Sequence, residues 1–240
     1  MNILIISGHG QGDPGACANG YQEATLVREL ALALSSTLKP YANVTVFDTN
    51  KNMYKYLKTN SFNFKEYGYV LELHFDASVN DTIGNGKTTG TGILVHPSEK
   101  AVTVEQKIVD NIAKLGFANR GVKVRSNLQN MNVCKGSQGV SYALLETCFI
   151  DDIDDMKLYI AKKDQVVSAI ANGIIDGFGL RSADKFTDIS ECYGRNHINE
   201  LAEMGVINGR GDGTFSPKEP ITREDVAIIA RNVIKYITGK

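Results

Sequence analysis

Apolar positions along the chain alternate between short continuous runs and longer stretches of helical spacing. Residues 3–6 are apolar, mostly β-branched and few, which predicts a buried central strand. Residues 22–38 carry Leu26, Leu30, Ala33, Leu34 and Leu38 on one helical face, and Pro40 ends that helix. Further strands are predicted at residues 44–47, 69–75, 91–95, 130–134 and 142–145. Helices are predicted at 53–57, 104–115 (closed by Gly116), 152–159 and 163–178. Strands alternating with helices predict an α/β fold: a twisted mixed sheet with helices on both faces.

The alternation stops near residue 180, and residues 181–185 read as a linker. Residues 186–240 predict two helices, about 195–204 and 222–236, separated by Asn208-Gly-Arg-Gly-Asp-Gly-Thr-Phe215. The expected organisation is therefore a domain over 1–180 and a small helical C-terminal module over 186–240. A module of that size is short of apolar area for an independent core.

Composition narrows the function classes. A net charge of −1 over 240 residues gives no electrostatic footprint for nucleic acid. Cys17, Cys134, Cys148 and Cys192 have no C-x-x-C spacing, which argues against a thiolate zinc cluster and a disulfide scaffold. Buried, reduced thiols are expected instead. Residues 1–7 lack a basic leader, and no stretch approaches the roughly 18 apolar residues of a membrane span. The expectation is a chain made in the cytoplasm without a signal peptide, which reaches any extracellular target after release or lysis.

Four chemically active side chains fall at predicted strand ends or at a helix start. His9 follows the first strand, His74 ends the third, Glu146 ends a late one, and Glu23 lies in the first turn of the first helix. Open α/β sheets gather functional groups beyond the carboxyl ends of their strands. Catalytic zinc commonly takes two histidines and one carboxylate and keeps a position for water, whose pKa it lowers. His9, Glu23 and His74 fit as ligands, and Glu146 fits as the proton-transferring group. From the residues alone, ordinary roles stay open. A strand-end histidine often only closes a loop, and Glu23 suits a helix N-terminus. Glu146 is harder to place, because burial among Ala143-Leu144-Leu145 and Thr147-Cys148-Phe149-Ile150 is costly without a partner.

These residues stand in motifs. Ser7-Gly8-His9-Gly10-Gln11-Gly12-Asp13-Pro14-Gly15-Ala16, Glu23 at its distance from His9, Leu73-His74-Phe75-Asp76-Ala77 and Leu145-Glu146-Thr147-Cys148-Phe149-Ile150 resemble, in order, the motifs of the zinc-dependent N-acetylmuramoyl-L-alanine amidases of the Amidase_3 class. The resemblance covers about residues 1–180. It implies one Zn2+ per chain held by His9, Glu23 and His74, with Glu146 catalytic. The substrate it implies is the amide between N-acetylmuramic acid and L-alanine in peptidoglycan. The sequence departs from the family pattern at Ser7, Cys148 and Glu72 without losing a ligand. By strand alternation Glu72 shares a face with His74. It is either an acceptor for an imidazole N–H or an acid solvated or paired elsewhere, and the second is the expectation. His96 and His197 have no motif role. Asp151, Asp152, Asp154 and Asp155 read as helix-start acids, because an EF-hand's glycine and glutamate spacing is missing.

Phe186-Thr187-Asp188-Ile189, Gly205-Val206-Ile207-Asn208-Gly209, Asp212-Gly213-Thr214-Phe215-Ser216-Pro217 and Ile221-Thr222-Arg223-Glu224 resemble one S-layer homology module. Such modules bind secondary polymers of the cell wall, and the resemblance makes Arg223 the anion-pairing candidate. They usually come in threes, so association of three chains through this unit is expected. Together the two resemblances imply an endolysin or autolysin. The alternatives are a zinc peptidase cutting within the stem peptide and a non-catalytic wall-binding protein.

Overall fold

A computed structural model of the chain describes residues 1–10, 12–181 and 184–239. The chain divides into two compact units, Met1–Leu180 and Arg181–Lys240. Two residues of the expected linker, Ser182 and Ala183, lie outside the described residues.

The first unit is built on six strands: β1 (Asn2–Ser7), β4 (Asn43–Val46), β5 (Tyr69–Asp76), β6 (Thr91–Val95), β7 (Asn119–Val124) and β8 (Ser141–Phe149). Their order is β4-β1-β5-β8-β6-β7. Strands β4, β1, β5 and β8 run parallel, β6 runs antiparallel to β8, and β7 runs parallel to β6. The carboxyl ends of β1, β5 and β8 therefore share one edge with the start of β6. A small hairpin, β2 (Cys17–Ala18) and β3 (Tyr21–Gln22), leads into α1 (Glu23–Leu38).

The two faces are covered differently. Helices α1, α3 (Thr103–Ala113) and α5 (Ile153–Phe178) bury Leu30, Leu34, Ile108, Ile112, Ile170 and Ile174 against Ile3, Ile5, Leu71 and Leu145. The other face is closed by shorter pieces. Met53 of α2 (Met53–Tyr56), Phe64, Met131 and Cys134 pack on Leu4, Ile6, Val70 and Leu144. That lighter cover leaves room for a cleft beside the strand ends. Helix α5 joins the two helices expected at 152–159 and 163–178, with the bend marked by Lys162 at φ −125° and ψ 22°.

Residues 130–134 are helical, not a strand. They belong to α4 (Gln129–Met131) and the π-helical turn that follows, Asn132–Ser137. Asn130, Met131 and Cys134 are the buried positions, a helical spacing that a short apolar run does not reveal. Strand β7, with Arg120, Gly121 and Lys123, went unpredicted because an edge strand needs no continuous apolar run.

The second unit holds α6 (Arg195–Glu203) and α7 (Arg223–Thr238). Phe186, Ile189, Val206 and Ile207 form its small core, and Phe186 stacks on Phe215 with centroids 5.4 Å apart. Asp188 accepts from the backbone N–H groups of Phe215 and Ser216, and Thr222 with Asp225 makes a capping box at the start of α7. Helix α7 has no buried residue. Among the described residues no helix is long and apolar enough to cross a membrane.

Candidate active site

The loop after β1 brings His9 back over the sheet edge. His9 has a left-handed backbone, φ 64°, held by the Gly10–Asp13 bridge on the far side of the turn. Two glycines leave the space. A Cβ on Gly8 would stand 2.4 Å from His74 Cε1, and one on Gly15 would stand 2.7 Å from both Glu23 Oε2 and His9 Cδ2.

Glu23, buried as the first residue of α1, is the hub. Its Oε2 lies 3.0 Å from His9 Nε2 and its Oε1 lies 3.0 Å from His74 Nδ1. The same oxygens accept from the backbone N–H groups of Ala16 (2.9 Å) and Phe75 (3.0 Å). One ligand atom from each of His9, Glu23 and His74 falls within 4.8 Å of the others. Two imidazole nitrogens and a carboxylate converging in this way fit a divalent zinc site.

The outer nitrogen of each ring also meets a carboxylate. Asp13 Oδ2 lies 3.1 Å from His9 Nδ1. Glu72 Oε1 lies 3.1 Å from His74 Nε2, and Asn130 Nδ2 donates to both Glu72 oxygens. The Glu72 contact is a hydrogen bond, and such a partner fixes the tautomer and aim of a metal-binding histidine; Asp13 stands at ion-pair distance without a hydrogen bond to His9 Nδ1. Glu72 is buried on His74, which corrects the expectation of a solvated or elsewhere-paired acid. Asp13 was legible in sequence only as a turn residue of Asp13-Pro14-Gly15, and Asn130 gave no signal.

The electrostatics follow. Burial would raise Glu23, but its bonds to His74 and His9 hold it well below the usual carboxylate range. Burial would lower His74, yet the hydrogen bonds to Glu23 and Glu72 and the charges of Glu72 and Glu146 raise it well above its ordinary value. His9 is raised in the same way, chiefly by Glu23.

Glu146 stands inside β8, directly opposite His74 in the parallel β5–β8 register, rather than at a strand end. Its Oε2 is buried without a hydrogen-bond partner. Burial pushes its carboxyl up to about 7, with the charges of Asp76 and Glu23 adding to the rise and those of His74 and Arg120 opposing it. Arg120 is committed to Asp76 at 2.9 Å and lies 4.4 Å over the Phe149 ring.

The N-acetylmuramoyl-L-alanine amidase family model matches residues 3–176. The chain belongs to that family. Its amidase domain is accompanied by a match of residues 185–227 to the S-layer homology domain. The amidase is 30% identical over 200 residues to the "Sporulation-specific N-acetylmuramoyl-L-alanine amidase" of Bacillus subtilis, covering 80% of this chain and 72% of that one. It is 28% identical over 192 residues to the Staphylococcus aureus protein named "Probable autolysin PH", covering 73% of this chain and only 38% of that protein's length. In fold it is similar to the CwlD amidase from Clostridioides difficile, solved in complex with the GerS lipoprotein, with a TM-score of 0.60 at 18% identity, over 74% of this chain and 98% of that one.

Other candidates stay outside the His9–Glu23–His74 cluster. His96 bonds locally to Ser98, and His197 is exposed. Asp152 caps α5, while Asp151, Asp154 and Asp155 accept backbone N–H groups of the loop 79–90. Asp81, Asp152 and Asp154 also cluster, but each already accepts hydrogen bonds from that loop or from the helix start. Cys134 and Cys148 are buried free thiols as expected, whereas Cys17 is exposed and Cys192 half-buried. Arg223 is exposed in the first turn of α7 and does not line the cavity of about 450 Å3 formed by Arg210, Phe215, Ile221, Ile228 and their neighbours.

Proposed function

We propose that the protein is a zinc-dependent hydrolase of the amide between N-acetylmuramic acid and L-alanine in peptidoglycan, acting as an endolysin or autolysin. The observation that carries this is the placing of a buried, unpartnered Glu146 oxygen next to the His9–Glu23–His74 donor cluster. His9 Nε2, Glu23 and His74 Nδ1 are the proposed ligands. When bound, zinc supplies electrophilic polarisation of water and of the scissile carbonyl. The chain's own residues do the rest. Glu72 holds the His74 imidazole in one tautomer, and Asp13 sets a negative charge beside His9 Nδ1. Glu146 accepts a proton from the attacking water as its oxygen bonds to the carbonyl carbon. It then delivers that proton to the alanine nitrogen as the C–N bond breaks.

The C-terminal unit is proposed to hold the enzyme to a secondary wall polymer, with Arg223 as an anion-pairing residue. Production in the cytoplasm and action on the wall after release or lysis belong to the same reading. Association of three chains is motivated by the module's single copy and its small size, with no further support, and a monomer by light scattering at micromolar concentration removes it.

Mass spectrometry of isolated walls digested with and without chelator tests the reaction. The expected products carry a new L-alanine amine and a free lactyl carboxyl, and they disappear with chelator. Cuts within the stem peptide would identify a peptidase instead. Equal turbidity loss by wild type and Glu146→Gln would end the catalytic assignment.

A further inference from the structure

The sheet face that carries Glu146 continues past β6 to the edge strand β7. A cavity of about 200 Å3 there is lined by Asp76 and Glu146, then Gly92 and Leu94, then Arg120, Lys123 and Arg125. The strand register makes this one surface. Lys123 pairs with Leu94, Leu94 with Leu144, and Leu144 with Glu72, so Lys123 shares the face of Glu72, His74 and Glu146.

Two local features open the cavity. Thr91 faces Asn119 while Ile93 faces Val122, so β7 carries one extra residue opposite Gly92. Gly121 supplies the left-handed backbone of that bulge, φ 71°. Bulges re-aim side chains at the borders of functional sites. Gly92 leaves the floor bare, because a Cβ there would press 3.3 Å from Arg120 Cβ.

The cations are unequal. Arg120 is held by Asp76 and Phe149. Lys123 and Arg125 are exposed and, among the described residues, no carboxylate lies within ion-pair distance of either. The cavity therefore has an acid wall at the reacting end and two unmatched cations at the other. Resting on the amidase reading, we infer that Lys123 and Arg125 form a subsite for a carboxylate of the stem peptide beyond the L-alanine whose bond is cut. An arginine fork and a mobile ammonium are suited to a carboxylate, and neither has to give up a partner to take one. The competing role is protection of a sheet edge against pairing, which basic side chains also serve. Edge protection predicts changes in self-association alone.

Two muramyl peptides decide between them, identical except that the second residue's α-carboxyl is free in one and a carboxamide in the other. Their binding is measured by calorimetry on the full chain carrying Glu146→Gln, with and without Lys123→Met and Arg125→Met. The free carboxylate is expected to bind about tenfold tighter, as one charge-assisted contact allows, and the double substitution is expected to erase that preference while leaving the carboxamide's affinity in place. Equal affinities in the parent, no binding of either peptide, or a preference that survives both substitutions overturns the subsite. A double variant that only self-associates, with the preference intact, overturns it as well. Cleavage of the same peptides by wild-type chain is scored separately. If neither is cut at the lactyl–alanine bond, the amidase reading fails, while the binding preference still decides the subsite.

Discussion

Glu72 Oε1 sits 3.1 Å from His74 Nε2, on the ring nitrogen that does not face Glu23. A carboxylate there makes Nε2 the protonated nitrogen and leaves the Nδ1 lone pair for a cation. Glu72→Leu is therefore expected to weaken zinc binding by roughly 10- to 100-fold, measured by competition with a chromogenic chelator. Glu72→Gln keeps an acceptor and should lose less. Thermal unfolding of the metal-free proteins separates this from a folding defect. Unchanged zinc affinity in Glu72→Leu would remove the positioning role.

Glu146 must be ionised to take a proton from water. Its carboxyl stands near 7 because it is buried, so kcat/KM is expected to fall about tenfold per pH unit on the acid side of its pKa and to level off above it. A divalent cation held by His9, Glu23 and His74 would add positive charge near the Glu146 carboxylate and so move the midpoint below 7 in the metal-loaded enzyme. A pH–rate profile in several buffers reads this directly. Activity that rises as pH falls through this range contradicts Glu146 as the initial base.

Gly8 has no side chain because the His74 ring occupies the space. The added methyl of Gly8→Ala would sit 2.4 Å from His74 Cε1, so the ring or the loop must move. Zinc affinity is expected to drop at least about tenfold, a ligand displaced by an ångström being a poor ligand. Inductively coupled plasma analysis after dialysis against a fixed zinc buffer checks it. Full occupancy equal to wild type would show that the loop yields freely.

Asp155 is buried and accepts from the backbone N–H groups of Gly90 and Phe149, which ties the loop after β5 to the end of β8. Burial pushes its carboxyl up to about 6 from an ordinary value of 3.8. The native state therefore binds a proton that the unfolded chain has released across that window. Stability contributed by the protonated form is present at low pH and lost as pH rises from about 4 to about 6. Asp155→Asn should remove this limb from the pH dependence of urea unfolding. Asp155→Leu should cost about 2 kcal/mol, because buried N–H groups lose their acceptor. An identical pH dependence in Asp155→Asn and wild type would contradict the assignment.

The strand runs, the amphipathic helices and the four polar residues among them were legible in sequence because each depends on local period or on motif spacing. Ile3–Ile6 must be buried wherever the strand sits, and Leu26, Leu30 and Leu34 define a helix face before any fold exists. His9, Glu23, His74 and Glu146 could be named from their motifs. Their meeting could not be derived from spacing, since it depends on β1, β5 and β8 lying side by side in the sheet. Strand alternation put Glu72 on the face of His74, but whether it paired with that ring or elsewhere, and what Asp13 faced across its loop, depended on the packed neighbours. Tertiary structure decided that Glu72 holds the His74 imidazole from behind and that Asp13 comes within ion-pair distance of His9 Nδ1. It also decided that residues 130–134 coil into a helix that delivers Asn130 to Glu72, where a short apolar run fits either a strand or a helix. The edge strand β7, polar in sequence, became visible only through its pairing with β6. Backbone hydrogen bonding to β6 holds it in place, with Val122 half-buried on the core as its one apolar anchor.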